Sequence, residues 1–182
     1  MIEWIIVAFA GLILLVGVIY YNRFVVLSNR IDNSLSQINV QLKRRADLIP
    51  NLIETVKGYA KHEKGIMREV NEARKALVSA KGVVSKMKAN NMLEGALGRL
   101  FAIAENYPDL KANTNFIELQ RELSSTEDRV AYARQNYNDS ILSYNNMVQK
   151  IPGSIFAGLY GRKVKEYLKI AEVEKKTPKV SF

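Results

Sequence analysis

An imidazole beside a carboxylate is the pairing that general acid–base catalysis uses, and the chain offers it at His62-Glu63. Adjacent residues of a helix point about 100° apart, so these two side chains would not share a face. His62 is the sole histidine, which leaves a two-histidine metal site without its second ligand. Asp47, Asp109, Glu118, Glu127 and Asp139 are carboxylates a cation or a hydrolytic reaction could use, but their spacing brings no set of them together. Asp109 after Pro108 reads as a turn residue and Asp47 before Leu48-Ile49-Pro50 as a helix cap. With no cysteine, thiolate nucleophiles, thiolate metal sites and disulfides are excluded. Gly-rich phosphate loops, HExxH, GxSxG and DxDxDG are absent as well. The expectation is therefore a chain with no catalytic residue, no metal and no cofactor. A membrane-bound, hydrolase-like enzyme using helix-face carboxylates is the alternative.

Lys43-Arg44-Arg45 is the most concentrated positive run and could meet nucleic acid or anionic lipid, or simply be solvated. No aromatic residues interleave with it as a base-stacking platform would require, so no nucleic-acid partner is expected. The formal charge of +9 is uneven. Residues 22–88 hold 14 Lys/Arg against 6 Asp/Glu, residues 89–150 hold 6 against 8, and residues 151–182 hold 7 against 3.

The elements that must position these residues begin with an uncharged run, Trp4 to Tyr21. About 18 residues at about 1.5 Å each give roughly 27 Å, close to the thickness of a hydrocarbon core. Trp4 at one end and Tyr20-Tyr21 at the other place amphipathic rings where a membrane boundary would fall, and Arg23 follows directly. The start Met1-Ile2-Glu3 has no basic segment, and the small pair Ala8 and Ala10 lies inside the run, so the expectation is an uncleaved anchor. Positive flanks stay in the cytoplasm. Arg23, Arg30 and Lys43-Arg44-Arg45 thus place the bulk of the chain inside, with residues 1–3 facing out, residues 4–21 spanning the inner membrane, residues 22–150 forming a cytoplasmic bundle, and residues 151–182 a basic amphipathic segment and tail.

Glycine and proline are few, 10 and 4, and 48% of residues are hydrophobic at helical spacing, which indicates an all-α chain. Phe24, Ile31, Leu35, Ile38 and Leu42 step by three, four or seven along a first soluble helix continuous with the span. Pro50 lacks an N–H and biases Ile49 away from the helical region, favouring a turn. A second helix is expected from about Pro50 to Lys88, with a break at Ala89-Asn90-Asn91 and a shorter third helix up to Ala104. Asn113-Thr114-Asn115 supplies caps for a fourth, whose stripe Phe116, Leu119, Leu123, Thr126, Val130, Ala133, Tyr137, Ile141, Tyr144 and Val148 keeps heptad spacing until Ile151-Pro152-Gly153. Four such helices bury their stripes most economically as an antiparallel bundle. Beyond it, Ile155, Phe156, Leu159, Tyr160, Val164, Tyr167, Leu168 and Ile170 alternate with Arg162, Lys163, Lys165 and Lys169, a basic amphipathic pattern that could dock on the bundle or on the membrane. Thr177 to Phe182 is expected to be extended or frayed.

Three stretches carry a resemblance: QLKRRADLIPNLIETVKGYAKHEK from Gln41 to Lys64, YPDLKANTNFIELQRELSSTEDRVAYARQNYND from Tyr107 to Asp139, and the closing PKVSF. Together with the span they resemble the LemA family of bacterial membrane proteins. Ile151 before Pro152, where an aromatic is commoner, and Gln135-Asn136 in a usually bulkier run depart from the family pattern. The resemblance implies a helical cytoplasmic bundle with its N-terminus outside, no established enzymatic activity and no assigned cofactor. Genes of some members lie near those of membrane-bound zinc proteases or other membrane proteins, which implies partners of that kind.

The expected role is a non-enzymatic, membrane-anchored scaffold or adaptor that contacts lipid, self-associates and binds other membrane proteins, a membrane protease among the candidates. Copies confined to a plane meet at high local concentration. The seam Phe24, Ile31, Leu35, Ile38 and Leu42, with Asn29, Asp32, Asn33, Gln37 and Asn39 beside it, is the expected contact between copies.

Overall fold

The computed structural model describes residues 1–168, and in these the chain is all-α. Six helices follow one another: α1 (Ile2–Tyr59), α2 (Lys64–Ser79), α3 (Val83–Ala104), α4 (Pro108–Lys111), α5 (Thr114–Gln149) and α6 (Gly153–Leu159). They fall into two compact units, one of Leu35–Ala133 and one of Met1–Ser34 with the described residues from Arg134. The expectation for residues 169–182, Lys169, Ile170 and the closing tail among them, lies outside the described residues.

In the unit of Leu35–Ala133, the sequence period of α1 decides the packing. Ile38, Leu42, Arg45, Ile49, Leu52 and Val56 alternate steps of four and three, and every one of them is buried. Three facing helices supply the other walls: Val70, Ala73 and Leu77 from α2, Leu93, Ala96, Leu97 and Leu100 from α3, and Phe116, Leu123 and Val130 from α5. Directions follow from the side-chain bonds. Asn39 and Arg45 of α1 meet Lys86 and Asn90 of α3 in rising order, whereas Arg44 meets Glu122 and Tyr59 meets Asn113. α1 therefore runs parallel to α3 and antiparallel to α5. Short links join α2 on either side, so the unit is an up-down-up-down bundle.

Three boundaries differ from those expected. Pro50 lies inside α1 without a turn. Its missing N–H leaves the Ala46 carbonyl without an intrahelical donor, and Arg74 Nε of α2 donates to that oxygen at 2.8 Å. With Ile49 and Leu52 fully buried on either side, the helix continues through the proline. The expected second helix, 50–88, is instead broken twice. The first break, Ala60–Glu63, falls where the α1 stripe ends at the buried Ala60 and the chain reverses. The second, Ala80–Gly82, has extended Ala80 and Gly82 at φ 79°, a conformation that costs glycine little. The expected break at Ala89-Asn90-Asn91 is helical, because Ala89 and Asn90 are core residues of α3. The cap expected for α5 forms: Asn113 Oδ1 accepts the Phe116 N–H at 3.0 Å.

In the other unit, α1 and α5 are again antiparallel, with Phe24 edge-on to Tyr144 and Ser34 hydrogen-bonded to Ser140 at 3.0 Å. Phe24, Ile31, Ile141, Tyr144 and Ala157 form its core. The seam expected to face a second copy is thus largely interior. Phe24, Ile31, Ile38 and Leu42 are at most 3% exposed within one chain, and Leu35 is half-buried. A heptad stripe in a chain with several such stripes is satisfied by its own neighbours, and another copy reaches these residues only by opening the fold.

The Ala46–Arg74 bond is testable by a double-mutant cycle. Arg74→Met removes the side-chain donor to a carbonyl the helix cannot satisfy, with an expected loss of about 1–2 kcal/mol. In a Pro50→Ala background the new backbone N–H takes that carbonyl, and the same substitution should cost about 1 kcal/mol less. Chemical unfolding in mild detergent, followed by circular dichroism, measures both. Equal costs in the two backgrounds would show that Arg74 does not compensate the proline.

Candidate membrane interface

The residues that carry chemistry are dispersed. His62 lies exposed in the link between α1 and α2, outside any helix, and Glu63 accepts the Tyr107 hydroxyl at 2.9 Å. That hydrogen bond holds the Tyr107 phenol protonated above its ordinary range. Asp47 pairs with Lys43 and Glu127 with Arg45. Asp109 is in the first turn of α4, and Glu118 lines an open depression with Arg121 and Glu122. Among the described residues no three His, Asp or Glu side chains are grouped to hold a metal.

The basic run Lys43-Arg44-Arg45 resolves into three separate fates. Lys43 is solvent-exposed beside Asp47, and Arg44 reaches across to Glu122. Arg45 turns inward and is 2% exposed. Its Nη1 donates to Asn90 Oδ1 at 3.1 Å, and Nη2 lies 3.4 Å from the half-exposed Glu127 carboxylate, while Nε has no partner. Burial pushes the guanidinium below its usual pKa, opposed by the Glu127 and Glu94 carboxylates. Arginine starts so high that it stays cationic at neutral pH.

The apolar run behaves differently from every other stripe. Trp4 and most large apolar residues through Ile19 are exposed, and α1 is the one described helix long and apolar enough to cross a membrane. At the far end of the run the expected boundary residues meet protein. Tyr20 stacks on Phe156 of α6 with ring centroids 5.0 Å apart, and Tyr21 sits edge-on to Tyr160 at 5.5 Å. Tyr160 Oη donates to the Gly17 carbonyl at 2.8 Å, and a side chain on Gly17 would press on that hydroxyl. Arg23 is exposed one helix turn beyond Tyr20.

The basic amphipathic segment does not continue as a helix beyond α6. Gly161 at φ 64° ends it, with the Arg162 N–H bonded to the Ala157 carbonyl and the Gly161 N–H to that of Gly158. This is the paired C-terminal closure that glycine allows. Residues 162–168 then run extended along α5. Asn145 donates to the Lys165 carbonyl and accepts the Lys165 N–H, both at 2.8 Å. Asn138 does the same for Leu168, at 3.1 and 2.9 Å. Each carboxamide thus replaces a strand neighbour, and Leu168 is buried while Lys165 lies over the Tyr144 ring.

Sequence reasoning missed Arg45, Asn90, Asn138, Asn145 and Tyr160. Arg45 was legible in principle, since it falls on the four-three stepping of α1, but its two basic neighbours suggested a solvated patch. The asparagines gave no signal, because a carboxamide pairing with extended backbone has no period.

The chain matches the LemA family over residues 34–182. Magnetosome protein MamQ of Magnetospirillum gryphiswaldense is 28% identical over 173 residues, covering 81% of this chain and 64% of that protein. Magnetosome protein MamQ 2 of Paramagnetospirillum magneticum is 27% identical over the same shares of both chains. Protein LemA of Metamycoplasma hominis is 26% identical over 143 residues, 75% of this chain and 65% of that one. The chain thus spans just under two thirds of the length of these curated relatives.

The buried arginine makes an asymmetric prediction. Asn90→Leu strips the guanidinium of its best partner and should cost about 1–3 kcal/mol. Adding Arg45→Met removes the stranded charge and should recover most of that loss. Unfolding of both variants measures it, and a double variant no more stable than Asn90→Leu would contradict a desolvated, Asn90-dependent Arg45.

Proposed function

Since the chain belongs to the LemA family, we propose that it is a membrane-associated, non-enzymatic scaffold: a helical adaptor anchored by residues 4–21 of α1, with the rest of the chain in the cytoplasm. The observation that carries this reading is the unbroken α1, whose uncovered apolar stretch passes without interruption into the core stripe of a helical bundle. One helix thus carries both the apolar stretch proposed as the anchor and a core stripe of the bundle, whose outer helix faces are available to proteins in the same membrane. The dispersed carboxylates and the engaged Glu63 favour a binding role over a hydrolytic one, and the names of the relatives state no reaction. The proposed partners are other membrane proteins, a membrane protease among them, and further copies of the chain. Because the seam is interior, contact between copies is assigned to surface residues such as Val40 and Tyr132, both strongly exposed beside the same open depression.

Orientation is the first test, and the lack of native cysteine makes it clean. Ser79→Cys, at an exposed helix end, should resist a membrane-impermeant thiol reagent in intact cells and react after permeabilisation. Labelling in intact cells would refute the cytoplasmic assignment.

Crosslinking in native membranes tests self-association. Val40→Lys with Tyr132→Lys should abolish crosslinked dimers in a folded protein, whereas Ile31→Lys with Leu35→Lys should unfold it. Crosslinked dimers that persist in the folded Val40/Tyr132 pair would move the contact elsewhere, and monomers in the unsubstituted protein would refute self-association.

A further inference from the structure

We propose that α6 and the turn before it form a second membrane contact, an in-plane helix that places an apolar stripe in the bilayer beside the span. The proposal rests on the reading of residues 4–21 as membrane-spanning. One face of α6 is fixed by packing: Phe156 on Tyr20, Ala157 in the core, and Tyr160 on Tyr21 and on the carbonyl of Gly17. Gly17 lies four residues inside the end of the apolar run, about 6 Å along the helix axis. α6 is therefore held at the level of the last turns of the span, the depth at which in-plane amphipathic helices sit.

The opposite face has no protein cover. Ile155 and Leu159, one turn apart on α6, are 60% and 74% exposed, and Ile151 in the preceding turn is 83% exposed. Aqueous exposure of three large aliphatic side chains on one short element is unfavourable, and the hydrocarbon that covers Leu14 and Ile19 is adjacent. The charge around the stripe selects the lipid. No acidic residue occurs between Asp139 and Glu166, whereas Lys150 and Lys163 flank α6 and are exposed. Beside Tyr20, an open depression of about 290 Å³ is lined by Ser143, Asn146 and Lys150, donors suited to a phosphate oxygen. An amphipathic helix with cations at its edge matches an anionic bilayer surface.

Depth-resolved tryptophan quenching of the full chain tests the proposal. In a Trp4→Phe background, which removes the one native tryptophan, Ile155→Trp and Leu159→Trp are placed in vesicles of phosphatidylglycerol and acyl-brominated phosphatidylcholine. Leu14→Trp in the span is the positive control. Asn33→Trp is the negative control, exposed and about 18 Å beyond Tyr21 along α1. Both α6 variants should lose about half of their fluorescence relative to unbrominated vesicles, as Leu14→Trp does, with Asn33→Trp unchanged. If Leu14→Trp is quenched and the α6 variants are not, the proposal is wrong: blue emission would then mean that a second protein copy covers the stripe, and quenching by aqueous iodide that it faces water. If Leu14→Trp is itself unquenched, the spanning reading fails and the α6 contact falls with it.

Discussion

One carbonyl, that of Ala46, carries much of the architecture. Pro50 cannot donate to it, and an unbonded carbonyl in a half-buried helix costs enough to favour a bend. The guanidinium of Arg74 removes that cost from a different helix, so the continuity of α1 through Pro50 rests on a tertiary contact. The one helix supplies Phe24 to the core of one unit and Leu52 and Val56 to the core of the other. Arg74 sits on α2 and can reach Ala46 only when α2 folds back against α1, so the bonding of the proline site and the closure of the bundle are one event.

The polar interior shows how a repetitive core acquires a single register. Aliphatic side chains at heptad spacing fit a neighbouring helix in several alignments, since sliding by seven residues replaces one Leu or Ile with another. Arg45 against Asn90 and Ser34 against Ser140 break that equivalence, because each polar side chain meets its polar partner across the interface in one alignment. A slipped alignment would part a buried guanidinium from its carboxamide, which is costly where burial is nearly complete. The same device explains why α3 continues through Ala89-Asn90-Asn91, where composition alone suggests an end: Asn90 is the partner of Arg45.

What could be read from the residues follows from range. The apolar run, the heptads of α1 and α5, the Asn113 cap and the stop at Pro152 are local patterns, and they appear where they were read. The family was legible from strings such as Gln41 to Lys64. The passage through Pro50, the fate of Arg45 and the extended course after Gly161 each depend on a partner far along the chain: Arg74, Asn90, and Asn138 with Asn145. Periodicity reports which face of a helix is apolar and says nothing about which distant polar group will meet it.

The pair Asn138 and Asn145 works as a vernier between two rulers. Seven residues of α5 advance about 10.5 Å, and the three steps from Lys165 to Leu168 advance about 10 Å when extended. The two scales coincide at these marks, so both carboxamides close their bond pairs in one alignment. An inserted or deleted residue between Lys165 and Leu168 would shift the outer scale by about 3.3 Å and turn the N–H and C=O of one of the two residues away from its carboxamide. Such a change can keep one mark and must lose the other. The segment is consequently intolerant of length change in a stretch whose side chains, Val164 and Tyr167 among them, remain free to vary at the surface.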